Sequence, residues 1–184
     1  MRVFLDFEAS SLAKDSYPVE VAWVFEDGLS ESHLIQPLPR WTDWDEAAAR
    51  IHGITRADLS RGMPVVELGR RMLETLGPHT LYASSPSWDG KWLSVLLRGA
   101  GLPRHALRLG DTDALQVEAA SEILARYVPD DALGPAVAEL VENVRRAATG
   151  PVLHRALPDA EQERRLWLAV REAARQAADR LSRP

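Results

Sequence analysis

Apolar and polar positions alternate from the start of the chain. Between Arg2 and Glu8, Val3, Leu5 and Phe7 fall on one face of an extended strand, while Phe4, Asp6 and Glu8 fall on the other. Tyr17 to Phe25 reads as a second strand, Asp27-Gly28 as a two-residue hairpin turn, and Leu29 to Gln36 as the returning partner. Pro37 and Pro39 end this run, and three strands with tight connections predict an antiparallel start to the sheet.

From Thr42 the spacing turns helical. Asp45 to Arg50 leads into Ile51-His52-Gly53-Ile54-Thr55, and Thr55 is placed to cap a short turn through Leu59. Pro64 opens a helix with Val65, Leu68, Met72, Leu73 and Leu76 on one side, which Gly77-Pro78 stops. Thr80 to Ala83 predicts a strand. Pro86-Ser87 then begins a helix with Ser87 as cap and an apolar stripe of Trp88, Trp92, Val95 and Leu96, in which Trp88 reads as core beside Trp92, with stacking on a nucleic-acid base as the alternative. A weaker strand falls at Ala106 to Leu109. Helical spacing runs from Ala114 to Tyr127, is punctuated at Pro129 and Gly134-Pro135, and continues from Val137 to Ala148. A loop at Thr149-Gly150-Pro151 leads through Val152 to Leu157, and Pro158 starts a last long helix with Leu166, Val170, Ala173, Ala177 and Leu181 at helical spacing. Strands first, then alternating helices and strands, predict a mixed α/β sheet covered by helices.

The chain has 184 residues, of which 46% are hydrophobic, enough for one sizeable core, and no repeat or linker divides it. One domain over 1–184 is expected. The absence of cysteine excludes disulfides, thiolate metal sites and cysteine nucleophiles, and fits a cytoplasmic setting. The first apolar run is short and holds two acids, and no other approaches the ~18 residues of a membrane span, so a soluble protein with no membrane partner is expected. A net charge of -5 argues against a nucleic-acid binder that works by charge alone. Carboxylates that hold divalent cations, however, count as negative only until they are loaded.

Asp6 and Glu8 therefore stand out. Burying two like charges in an apolar strand costs several kcal/mol each unless a cation or donor compensates, so this pair suggests a platform for a divalent metal. The same spacing recurs at Asp43-Trp44-Asp45 and Asp111-Thr112-Asp113, but those acids precede helices and read as caps or first-turn residues. Asp89 and Asp159 also fall near helix starts, where an acid contributes ~0.3–1 kcal/mol against the helix dipole. His154 precedes Asp159 by five residues, about 140° of helical rotation, so a helix that begins at Pro158 leaves the histidine on a lead-in loop and the aspartate on a rigid element. His33, His79 and His105 read as surface residues.

Taken in order, Phe4-Leu5-Asp6-Phe7-Glu8, Trp88-Asp89 and His154-Arg155-Ala156-Leu157-Pro158-Asp159-Ala160 resemble the three motifs of the DEDDh (DnaQ-like) family of 3′→5′ exonucleases. The Ile51 to Thr55 stretch is also typical of that family, and the resemblance extends from Phe4 to about Trp167. It departs at Ser85, where many members have asparagine, and at Trp88, where phenylalanine is usual. The resemblance implies a ribonuclease H-like fold with a five-stranded mixed sheet whose first three strands are antiparallel.

It further implies two Mg²⁺ or Mn²⁺ ions, suited to clustered hard oxygen ligands. Asp6 would bridge them, Glu8 and Asp159 would complete one site, and Asp89 would help hold the other. His154 would be the general base. Nucleoside 5′-monophosphates would leave from the 3′ end of DNA or RNA, expected single-stranded. Ser10 and Ser11 after the first strand, and His52 to Thr55, are the expected substrate contacts. Arg155, Arg164 and Arg165 could meet phosphates or be solvated, and a homodimer is a possibility that family members often realise. Two alternatives remain open at this point: a non-catalytic module of the same fold that binds a nucleic-acid end or a protein, and a metal-dependent phosphomonoesterase acting on nucleotides.

Overall fold

The computed structural model describes residues 1–148 and 154–183, so the expected loop at Thr149-Gly150-Pro151 and the residues Val152 and Leu153 lie outside the described residues. Its strands are β1 (Arg2–Ala9), β2 (Pro18–Phe25), β3 (Ser30–Gln36), β4 (Met63–Pro64), β5 (Thr80–Ala83) and β6 (Leu109–Asp111). They form one sheet in the order β4-β3-β2-β1-β5-β6. β1, β2 and β3 are antiparallel neighbours, as the tight connections predict, whereas β5 runs parallel to β1 and β6 parallel to β5. The helices are α1 (Glu46–His52), α2 (Arg56–Leu59), α3 (Val65–Leu76), α4 (Pro86–Gly99), α5 (Thr112–Leu124), α6 (Asp130–Ala147) and α7 (Ala156–Leu181).

The sheet has six strands, one more than expected. β4 is two residues long and pairs Ile35 with Met63 and Gln36 with Pro64, too short to show any alternation in sequence. β6 falls at Leu109–Asp111 and not at Ala106 to Leu109, because its pairing with β5 begins at Leu81 with Leu109. Gly110 is required there: a Cβ on it would lie 2.9 Å from the Tyr82 ring.

Local chemistry sets most helix ends. Asp45 accepts from the Ala47 N–H at 2.7 Å to cap α1, which Gly53 ends at φ 71°. Thr55 and Asp58 form a reciprocal capping box on α2, and Asp111 caps α5 by accepting from the Asp113 N–H. α4 is capped two residues earlier than expected, at Ser85 and not Ser87, with Pro86 as its first residue and no side-chain cap bond. α6 begins at Asp130 and passes through Pro135. The missing N–H costs one hydrogen bond near the helix start, and burial of Val137 and Val141 offsets it. α7 likewise starts at Ala156, two residues before Pro158, where a proline removes only an N–H with no partner inside the helix.

β1 lies between two packed layers. Val3, Leu5 and Phe7 face α3 and α4 together with Trp23, Leu68, Met72 and Leu96. Phe4 points the other way, into Leu115, Ala119 and Trp167, with its ring 5.6 Å from that of Trp167. A third cluster joins α5, α6 and α7 through Leu124, Val137, Val141 and Val170. The alternation that puts Phe4 under α7 delivers Asp6 and Glu8 to the same side of the sheet, beside the first turn of that helix.

Candidate active site

Oxygen atoms of Asp6, Glu8 and Asp159 all lie within 4.8 Å of one another. The first two come from the centre of the sheet. Asp159 comes from the first turn of α7, its N–H bonded to the Arg155 carbonyl at 3.1 Å. Asp89 sits in the first turn of α4, only 2% exposed, its N–H bonded to the Ser85 carbonyl at 3.0 Å.

These carboxylates are costly to ionise without a cation. Burial first, then the charges of Asp89, Glu8, Asp159 and Glu163, raise the Asp6 pKa well above the usual carboxylate range. Glu8 is pushed up to about 8 by burial and by Asp159 and Glu20, with Arg155 opposing. Asp89 is pushed up to about 7 by burial, which backbone groups of Ser85 and Phe7 partly offset. Hard oxygen donors converging from β1 and α7, with burial and mutual repulsion opposing the ionisation of Asp6 and Glu8, fit Mg²⁺ or Mn²⁺.

His154 stands immediately before α7, exposed, in the left-handed region at φ 47°. Among the described residues its imidazole meets no hydrogen-bond partner, so the ring is accessible to solvent rather than built into the core. Its neighbour Arg155 is anchored instead. Glu20, 2% exposed on β2, accepts from Arg155 Nε at 2.9 Å, from Nη2 at 2.6 Å, and from the Ala156 N–H at 3.1 Å. Since Glu20 pairs directly with Glu8 across β1 and β2, Arg155 also supplies the positive charge between two facing acids.

The other expected contacts are placed as follows. Ser10 and Ser11 are buried, and both hydroxyls donate to Asp43 Oδ2, at 2.7 and 2.6 Å. The Asp45 N–H bonds the Ser10 carbonyl at 2.9 Å, which ties the α1 segment to the end of β1. His52 is buried, with Nδ1 accepting from the Ile54 N–H at 3.0 Å and Nε2 lacking a well-formed hydrogen bond; burial lowers its pKa. Thr55 is exposed and spends its hydroxyl on Asp58. Trp88 is not core: it is 38% exposed and stacks on buried Trp92, ring centroids 5.6 Å apart, while its neighbour Asp89 takes the buried side of the first turn. Arg164 donates to the Glu26 carbonyl and Arg165 pairs with Glu161.

Two acids escaped the sequence reading. Glu163 follows Asp159 by one helical turn, acts electrostatically on Asp6 and Asp89, and accepts from Thr112 Oγ1 at 2.7 Å. Its spacing from Asp159 was the available signal. Glu20 sits in the apolar run of β2, the same signal that singled out Asp6 and Glu8.

No protein-family model and no curated protein matches the sequence. Solved structures do match. The chain is similar to exonuclease I of E. coli in complex with a dT13 oligonucleotide, at a TM-score of 0.66 and 16% identity over 97% of this chain and 42% of that one. Exonuclease I from Methylocaldum szegediense gives 0.66 and 17%, over 93% and 40%. A 3′-exonuclease described with a histone mRNA stem-loop gives 0.64 and 13%, over 95% and 64%. The chain thus spans about two fifths of the exonuclease I chains that it resembles. These likenesses establish the fold: a ribonuclease H-like mixed α/β architecture shared with the exonuclease I and 3′-exonuclease structures, the fold class expected from the sequence. Among the described residues no helix is long and apolar enough to cross a membrane.

Proposed function

We propose that this chain is a metal-dependent 3′→5′ exonuclease domain that releases nucleoside 5′-monophosphates from a single-stranded nucleic acid. The observation that carries the reading is the convergence of Asp6, Glu8 and Asp159 oxygens within 4.8 Å, with buried Asp89 acting on Asp6 from a separate element. Asp6, Glu8 and Asp159 would hold one divalent ion, and Asp6 with Asp89 a second. When bound, the ions supply charge for the reacting phosphate and lower the pKa of water.

The protein groups divide the remaining work. His154 takes a proton from the attacking water on its neutral ring nitrogen, and the water oxygen forms the new bond to phosphorus as the bond to the 3′ oxygen of the preceding nucleotide breaks. That 3′ oxygen takes up a proton and leaves as the new 3′ hydroxyl. The Glu20, Arg155 and Ala156 contacts fix the chain immediately after His154, so the base approaches from a tethered position.

With Mg²⁺ or Mn²⁺, the purified protein should shorten a 5′-labelled single strand into a ladder, one nucleotide at a time. Matched DNA and RNA strands report the sugar preference. Activity that survives both Asp6→Ala and His154→Ala overturns the assignment, and hydrolysis of nucleotides in place of strands points to a phosphomonoesterase.

A further inference from the structure

Beside the carboxylates, the exposed side of α4 and the loop after β1 form a continuous surface of a different kind. Trp88, Lys91, Val95 and Arg98 recur along α4 at spacings that place them on one face. Lys91 Nζ lies 5.2 Å from the centre of the Trp88 ring, and donates to the Ala13 carbonyl at 2.6 Å and to Ser16 Oγ at 2.8 Å. It therefore braces the loop that carries Lys14. Farther along, Lys14, Ser16, Arg40, Trp41 and Arg98 line a cleft of about 470 Å³, with Asp15 as its one acid.

The charge here opposes that of the molecule. The chain carries a net -5, yet Lys14, Arg40, Lys91 and Arg98 gather on this surface and, among the described residues, none of the four forms an ion pair. Aromatic rings stand at either end, Trp88 exposed and Trp41 stacked on Tyr17 at 5.4 Å. Cations that track a backbone, flanked by rings on which bases can stack, are what a single-stranded polynucleotide requires.

We propose that this surface is the strand-binding track. A single strand leaves the carboxylate cluster over Trp88, passes Lys91, and lays its phosphates in the cleft between Lys14, Arg40 and Arg98. The polarity, with the 3′ end at the cluster, rests on the exonuclease reading above; the affinity of the surface for a strand does not.

The experiment measures fluorescence anisotropy of a 5′-labelled oligothymidylate and its RNA counterpart, in EDTA so that no cleavage occurs, over a series of salt concentrations. Each phosphate contact on a single strand contributes about 0.7 to the salt slope. The triple variant Lys14→Gln, Arg40→Gln, Arg98→Gln should lower the slope by about 2 and weaken binding at least tenfold at low salt. Trp88→Ala should weaken binding about tenfold with the slope unchanged, since stacking carries no counterion release. All the substituted side chains are exposed, and thermal unfolding verifies that each variant folds. Wild-type affinity and slope in the triple variant overturn the proposal, as does a wild-type chain that binds no strand, or competition by polyglutamate as effective as by the strand. Strand shortening by the wild type, measured separately, tests the exonuclease reading: a chain that binds with this slope but never cleaves keeps the track and loses the function.

Discussion

Arg155 grips Glu20 with both arms of its guanidinium, Nε at 2.9 Å and Nη2 at 2.6 Å, across the junction between β2 and the start of α7. Glu20 is 3% exposed at its side chain and Arg155 45%. Removing the arginine strands a buried carboxylate opposite Glu8, while the solvent around Arg155 softens the loss. Arg155→Ala should therefore cost about 1–3 kcal/mol in urea denaturation, less than the ~3–5 kcal/mol of a fully buried pair. Arg155→Lys should recover little, because an ammonium cannot reproduce the two-pronged contact.

The acids of the site give the metal-free protein an unusual pH dependence. Glu8 titrates at about 8 and Asp89 at about 7 in the fold, against 4.5 and 3.8 without it. Between those limits these two groups bind more protons in the folded chain than in the unfolded one, so their contribution to stability is fully present below about 4 and is lost as pH rises toward 8. Thermal unfolding in EDTA should show this decline. Mg²⁺ or Mn²⁺ should restore the most stability at the alkaline end, and Glu8→Gln should flatten the profile and raise the metal-free midpoint at pH 8.

Glu163 sets a test that separates metal holding from metal tuning. It borders the cluster electrostatically and is fastened to Thr112. Glu163→Gln keeps the acceptor for that hydroxyl and removes the charge. Activity or Mn²⁺ affinity by calorimetry should fall by about 10–100-fold, the size of effect seen when an outer partner of a metal site is lost, whereas Asp6→Asn should abolish binding.

His154 should behave in the opposite way. Exposed and without a hydrogen-bond partner among the described residues, it contributes little to the fold. His154→Ala should leave the unfolding midpoint within about 0.5 kcal/mol of the wild type, leave Mn²⁺ affinity unchanged, and lower kcat by roughly 10²–10⁴.

How much of this was legible in the chain depended on the range of the interaction. Asp6 and Glu8 could be read from β1 alone, since period-2 alternation assigns them a face and an apolar strand makes their charge anomalous. Asp89 and Asp159 could not: a first-turn acid on a helix has an ordinary explanation, and only the motif order set them apart. Caps such as Asp45, Thr55 and Asp111 are local and were foreseen, whereas the two-residue β4 exists only through its pairing with β3. Both prolines expected to interrupt or start helices lie inside them: Pro158 falls in a first turn, where the missing donor has no partner to lose, and Pro135 costs α6 one hydrogen bond that burial of Val137 and Val141 offsets. Trp88 shares the stripe of Trp92 and Leu96 yet stands exposed, since helical spacing identifies a stripe but not which of its members the core covers.

One helix carries both Asp89, in its first turn, and Arg98, in its last. In the proposed track the separation between the Asp89 end and the farthest cation is then fixed by a rigid rod, about 14 Å at ~1.5 Å of rise per residue, and not by a loop that could adjust. α4 thus acts as a ruler. On the proposed exonuclease reading, a strand long enough to reach its far end would be held while its terminus is trimmed, and each cut would shorten what remains to be held. Digestion should slow abruptly once the residue is only a few nucleotides long, leaving a short remnant whose length is written in the turns of α4.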